Sequence, residues 1–238
     1  MGIGAIIERQ VSLWNTEKAA ASERGAKARQ LSAVITVSRE LGSGGASVAR
    51  SVAERLGCSL VGYSIVDTVS KNLGLPKDVL TYMDEKLKSQ FLSWFDSSFC
   101  GEVDQSDYHR YMLATIRSLA ELGGVVLLGR GGAFVETDRR KINVRVIAPK
   151  EVRIERIMER DRCDRKRAVD AIDKSDKTRT KFIRSVFDRD WRNPIHYDIV
   201  INSAHMDVAH AAALVACAWH NYSKDASRLV ACGRDATS

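Results

Sequence analysis

The sequence predicts an α/β fold built on a parallel sheet, and three stretches carry that prediction. In the first, a β-branched run (Val34-Ile35-Thr36-Val37) passes through a turn holding Gly42, Gly44 and Gly45 into a helix start at Ala46-Ser47-Val48. The second is Val125-Val126-Leu127-Leu128, a continuous apolar run of the kind a strand covered on both faces requires, closed by Gly129-Arg130-Gly131-Gly132. The third is the strand pattern Ile142–Ile147, ended by Ala148-Pro149, with Pro149 opening a helix.

At 238 residues the chain is long enough for one sizeable core and one mobile subdomain, but not for several domains. No stretch is long and apolar enough to span a membrane and no secretory leader is visible, so the expected location is the cytoplasm. The five cysteines form no C-x-x-C pair and the five histidines show no metal spacing, which argues against a disulfide framework or a zinc site. A net charge of +7 favours polyanionic partners. No nucleic-acid-binding module is recognisable, so nucleotides are expected as partners ahead of nucleic acid.

In chain order, Ile7, Val11 and Trp14 mark a short amphipathic helix, followed by a polar linker, so residues 1–30 form an extension docked on the domain or on a partner. The domain proper is expected over 31–222. Its first strand hands over to the glycine turn, where successive N–H groups can converge on an anion at the start of the next helix. That helix is marked by Val48, Val52 and Leu56, with Gly57 as its stop. Against the phosphate-loop pattern G-x-x-x-x-G-K-[ST], the run Gly42-Ser43-Gly44-Gly45-Ala46-Ser47 keeps glycines and a hydroxyl but has Gly45 where lysine belongs. A plain βα connector with no ligand remains the alternative at this point.

Ser59–Tyr63 reads as a second strand and Ser64 to Leu73 as a helix. Leu75-Pro76-Lys77-Asp78 starts another helical stretch that runs to about Phe99, with Phe91, Trp94 and Phe95 as its core side. A loop over Gly101–Asp107 leads to a helix capped by Ser106 or Asp107 and ending at Leu122. The apolar strand follows, and its Arg130, among glycines at a strand's carboxyl end, either reaches an anion or simply faces solvent. On the helix after Pro149, Arg153, Arg156 and Arg160 share one sector while the glutamates share another. Grouped like charges favour a phosphate-facing surface over a solvated face. A helix from about Lys166 to Phe187 carries Asp173-x-x-Asp176-x-x-Arg179, then Lys181 and Arg184, which on spacing alone could be ordinary surface pairs. A last strand ends at Asn202, Asp207 caps a helix to about Ala218 or His220, and residues 223–238 read as a polar tail.

Ile35 to Gly45 resembles, residue for residue, the string I-T-[IV]-S-R-E-x-G-S-G-G of the cytidylate kinase-like family, a branch of the P-loop nucleoside monophosphate kinases. Leu128-Gly129-Arg130-Gly131 is similar to its V-G-R-G, and Asp190-Trp191-x-Asn193-Pro194-x-x-Tyr197-Asp198 through Asn202 to its closing segment. The resemblance covers about residues 33–218. It implies a three-layer α/β/α P-loop kinase fold with five parallel strands in order 2-3-1-4-5, a helical acceptor-binding region (about 64–122) and a short lid (about 153–190).

The resemblance further implies phosphoryl transfer from Mg·ATP to a small phosphorylated acceptor, most simply a nucleoside monophosphate such as CMP or dCMP. Gly42, Ser43, Gly44, Gly45, Ala46 and Ser47 would hold the donor phosphates and Ser47 would ligate Mg²⁺. Arg39 would replace the lysine, which the family's loop also lacks, and Arg130 would hold the acceptor phosphate. Arg160, Arg179 and Arg184 would close over the transferring group. Apart from the resemblance, Tyr63 could stack on the acceptor base or simply pack, and Asp67 lies one helical turn further on. Gly62 departs from the family's pattern, which has an aspartate there, and Gly131, which matches V-G-R-G, stands where the related cytidylate kinases have an aspartate. These departures keep open a catalytically inactive nucleotide-binding regulatory protein, and more weakly a nucleic-acid binder.

Overall fold

The computed structural model describes residues 33–62 and 105–232, and element labels run over these residues. The expectations for residues 1–30, for the helical stretches between 64 and 104, and for Tyr63 and Asp67 lie outside them. The order is β1 (Val34–Arg39), α1 (Gly45–Leu56), β2 (Ser59–Val61), α2 (Gln105–Leu122), β3 (Val125–Leu128) and a 3₁₀ turn (Gly132–Phe134). Then come β4 (Ile142–Ile147), α3 (Lys150–Asp161), α4 (Arg165–Phe187), a second 3₁₀ turn (Pro194–His196), β5 (Ile199–Asn202) and α5 (Val208–Cys232).

All five strands are parallel, in the order β2-β3-β1-β4-β5. β1 is central, with Ile35 opposite Val126 on β3 and Ile142 on β4. Alternation along β1 divides the core. Ile35 and Val37 pack with Val48, Ala49 and Val52 of α1 and Ala211, Ala212, Val215 and Trp219 of α5. Val34 faces the other side, with Met112, Ile116 and Leu119 of α2 and with Val125 and Leu127. The sheet is therefore the middle of three layers, and the apolar strands follow from burial on both faces. A smaller core joins α3 to α4 through Ile154, Ile157, Ala168 and Ile172.

Three boundaries differ from the sequence reading. α2 starts at Gln105, so Ser106 and Asp107 lie inside its first turn, where the helix macrodipole also favours an acid. α5 is capped by Asp207, whose carboxylate accepts the His210 N–H at 2.8 Å, but it runs past His220 to Cys232. No glycine or proline interrupts residues 221–232, and Gly233 is the next breaker. The helix expected from about Lys166 starts at Arg165, because Asp164 caps α4 through the Arg167 N–H at 2.8 Å.

Candidate functional site

The carboxyl end of β1 turns back at Glu40. Its carbonyl accepts both the N–H and the hydroxyl of Ser43, at 3.2 and 2.9 Å. Gly42 and Gly44 are left-handed, at φ 83° and 73°, and a Cβ on Gly42 would lie 2.7 Å from the Arg153 carbonyl oxygen. α1 begins at Gly45 with no side-chain cap and no acid in its first turn. Its first N–H groups are thus available to an anion, with Ala46 and Ser47 exposed beside them.

The loop is fixed from behind. The Leu41 carbonyl accepts from Arg153 Nε at 2.7 Å, the Gly42 carbonyl from Arg156 Nη1 at 3.5 Å, and the Ser43 carbonyl from Ser203 Oγ at 2.7 Å. In a trans peptide the carbonyl and the following N–H point oppositely. Anchoring the Leu41 and Ser43 carbonyls therefore turns the Gly42 and Gly44 N–H groups away from those anchors. Arg156 also holds Ser203 through its hydroxyl and carbonyl, at 3.0 and 2.7 Å.

These contacts correct the reading of the α3 arginine row as a phosphate-facing surface. Arg153 is buried and Arg156 is bound to the loop and Ser203, so both hold the loop from inside. Arg160 is exposed and forks its neighbour Asp161 at 2.7 and 2.8 Å. Like charges grouped on one helix face can be relieved by an external anion or by internal carboxylates and carbonyls, and for Arg153 and Arg156 the second holds.

Arg39 folds back across the strand ends. A Cβ on Gly45 would lie 2.4 Å from Arg39 Cβ, and one on Gly129 would lie 2.0 Å from Arg39 Nη1. The stem of Arg39 thus passes against the residue that stands where the lysine is expected, and its guanidinium reaches the end of β3. Burial, then the proximity of Arg179 and of Arg130, pulls the Arg39 pKa down to about 10. Arg130 stands in a left-handed conformation (φ 52°) between Gly129 and Gly131, both also left-handed, at a strain of about 1–2 kcal/mol. Arg179 comes from α4. Burial lowers its pKa, Asp176 acts in the opposite direction, and its Nη1 is buried with no hydrogen-bond partner among the described residues.

The structure therefore brings together Arg39, Arg130 and Arg179, contributed by β1, the turn after β3, and α4. No described contact joins Arg160 or Arg184 to this group; Arg184 is exposed in the last turn of α4. Gly131 has a local reason: a Cβ there would lie 2.2 Å from the ring of Phe187, which packs against Phe134 with centroids 5.4 Å apart. An aspartate here, as in related cytidylate kinases, would require the Phe187 ring to move.

Sequence reasoning missed the support beneath the loop. Glu40 is held by Arg145 at 3.2 Å, by Arg153 at 3.3 Å and by the Ala148 N–H at 3.3 Å. Arg145, itself buried, lies over the Trp191 ring at 4.4 Å and donates to the Trp191 carbonyl. The one signal was that Glu40 belongs to the matched string. Among the described residues no group of acids, histidines or cysteines could hold a metal alone, and no helix is long and apolar enough to cross a membrane.

A parallel sheet of this order, with an open glycine loop at the end of its central strand, defines the class: a kinase-like nucleotide-binding protein of the P-loop, three-layer α/β/α fold. The chain belongs to the cytidylate kinase-like family, which matches residues 34–205. An uncharacterized protein from Eubacterium ventriosum shares the fold at a TM-score of 0.60 and 24% identity, over 77% of this chain and 95% of that one. Shikimate kinase from Bacteroides thetaiotaomicron is more distant, at 0.43 and 11% over 77% of this chain and 95% of that one. Shikimate kinase from Acinetobacter baumannii, solved with shikimate, stands at 0.39 and 14% over 87% and 97%. No curated protein matches the chain.

Proposed function

We propose that this protein is a cytoplasmic phosphotransferase that moves a phosphoryl group from Mg·ATP to a small phosphorylated acceptor, a nucleoside monophosphate of the CMP or dCMP type. The observation that carries this reading is the gathering of Arg39, Arg130 and Arg179 before an open, uncapped loop. Two of these guanidiniums, Arg39 and Arg179, are largely buried, and like charges gathered in this way suit an anion of several charges placed among them. Phosphoryl transfer asks the protein mainly to position its substrates and neutralise charge, and such a group suits that demand without a nucleophilic side chain.

In this reading the loop from Gly42 to Ser47 holds the donor phosphates, through the N–H groups of Gly42, Gly44, Gly45 and Ala46 and beside the Ser43 and Ser47 side chains, and Arg39 provides the cation that a loop lysine supplies elsewhere. Ser47 is the protein ligand for Mg²⁺, an ion that takes few protein ligands and keeps substrate phosphates and water, and that supplies charge neutralisation when bound. Arg130 holds the acceptor phosphate and Arg179 spans the transferring group. Arg160 and Arg184 close over it in the liganded state. Tyr63 and Asp67 flank the acceptor base, which the aspartate missing at Gly131 does not read.

The test is ADP formation by the purified protein with Mg·ATP against CMP, dCMP, UMP, AMP, GMP and dTMP. Acceptor-dependent turnover that is lost in Arg39→Ala supports the reading and names the acceptor. Mg·ATP binding without turnover for any acceptor would replace it with a catalytically inactive nucleotide-binding protein. Oligonucleotide binding with a steep salt dependence and no preference for ATP would overturn both.

A further inference from the structure

The Arg153 guanidinium joins three parts of the fold. Its Nε donates to the Leu41 carbonyl at 2.7 Å, and its Nη1 pairs with Glu40 at 3.3 Å. Its Nη2 reaches both carboxylate oxygens of Asp176, at 3.0 and 2.9 Å. Asp176 lies on α4 one turn before Arg179, and its Oδ1 is 3.9 Å from Arg179 Nη1. The side chains of Arg153 and Asp176 are only 6% and 14% exposed, so these charges are fixed in place rather than sampling solvent. A continuous chain of charged contacts thus runs from the backbone of the glycine loop, through Arg153 and Asp176, to the arginine that α4 contributes to the site.

We propose that Asp176 is a positioning residue for Arg179. Held by Arg153, and through it by the loop, Asp176 aims the Arg179 guanidinium across the phosphates bound in front of the loop. The inference rests on the phosphoryl-transfer reading of that site. A carboxylate this near an anion site has an obvious electrostatic drawback, because it repels the phosphate that Arg179 attracts. The two effects have opposite signs, which makes the proposal testable. If Asp176 were merely a nearby charge, neutralising it would tighten phosphate binding. If it positions Arg179, neutralising it weakens binding, and only while Arg179 is present.

The experiment is calorimetric titration of Mg·ATP into wild type, Asp176→Asn, Arg179→Ala and the double variant, with thermal unfolding read on the same samples. Asp176→Asn is expected to weaken binding about fivefold or more, as the loss of one well-aimed guanidinium contact would. In the Arg179→Ala background the same change should move affinity by less than about twofold. Should Asp176→Asn fail to fold, Arg153→Lys takes its place, since lysine keeps the charge but cannot reach Leu41, Glu40 and Asp176 with one planar fork. The same dependence on Arg179 is expected of it. Tighter binding by Asp176→Asn, an equal loss in both backgrounds, or a lowered melting temperature at unchanged affinity each overturns the inference alone. A wild-type protein that binds no Mg·ATP overturns the phosphoryl-transfer reading, and this inference with it.

Discussion

Gly45 offers the sharpest test of how the loop dispenses with a lysine. Gly45 opens α1, so replacing it by alanine should gain about 0.5–1 kcal/mol of helix propensity if nothing stood in the way. The new Cβ would instead lie 2.4 Å from Arg39 Cβ and 3.1 Å from Val146 Cβ. Relaxed carbon contacts lie near 3.5–4.0 Å, so β1 and α1 must separate by roughly 1 Å inside a packed core. Overpacking of that kind costs about 1–3 kcal/mol, which leaves a net loss of up to about 2.5 kcal/mol after the propensity gain. At about 2–4 °C per kcal/mol for a domain of this size, the melting temperature should fall by up to about 10 °C.

Arg39→Gly supplies the control. Without a Cβ at position 39 the nearest obstacle is gone, and Gly45→Ala should become neutral or stabilising in that background. Gly44→Ala should behave differently. Its Cβ would meet nothing within 4 Å, so it loses only the left-handed strain of about 1–2 kcal/mol, in both backgrounds alike. Thermal unfolding of the single and double variants decides the matter. A melting temperature that rises in Gly45→Ala, or that falls equally with and without Arg39, would refute the idea that Arg39 excludes a side chain from the lysine position.

Arg39→Met should raise the melting temperature of the ligand-free protein. The folded-state pKa of Arg39, about 10, lies well below the ordinary arginine value, so at pH 7 both states are charged and the folded state carries the charge at a cost. That penalty, on the order of 1–3 kcal/mol, is present in full below pH 10 and is relieved as pH rises above it. Tripolyphosphate should then stabilise wild type more than Arg39→Met in a thermal-shift assay at equal concentration. Gly131→Asp should lose about 2–4 kcal/mol in denaturant unfolding, through its clash with Phe187 and its positive φ, and Phe187→Ala should remove the clash but not the strain. Glu40→Gln removes the carboxylate that Arg145 and Arg153 share, leaving Arg153 only Asp176, and should cost about 2–4 kcal/mol by the same measurement.

How much of this was legible depended on sequence distance. β1, the glycine turn and α1 are adjacent in the chain, and local rules govern them: β-branched residues in a buried strand, left-handed glycines, Gly57 as a helix stop. The sheet order and the loop itself were carried by the resemblance at Ile35–Gly45. Arg39 was singled out as the substitute cation, and the structure places its stem against Gly45. The resemblance assigns Arg160, Arg179 and Arg184 alike to the transferring group, and among the described contacts it is Arg179 that joins Arg39 and Arg130.

The Arg153 row shows why pattern alone misleads. Its spacing says only that the charges share a helix face and need compensation; it does not say from where. Compensation came from Glu40, 113 positions upstream of Arg153 by residue number, and from Asp176 on the next helix. The same holds for Gly131, whose small size is explained by Phe187 at the far end of α4. By itself the sequence determined what neighbouring residues decide together: strands, the glycine turn, the Gly57 and Asp207 helix boundaries and the class of fold. Only the tertiary structure decided which arginines face the loop and which support it, because a charge is satisfied by whatever lies within a few ångströms, and chain folding alone brings residues a hundred positions apart to that distance.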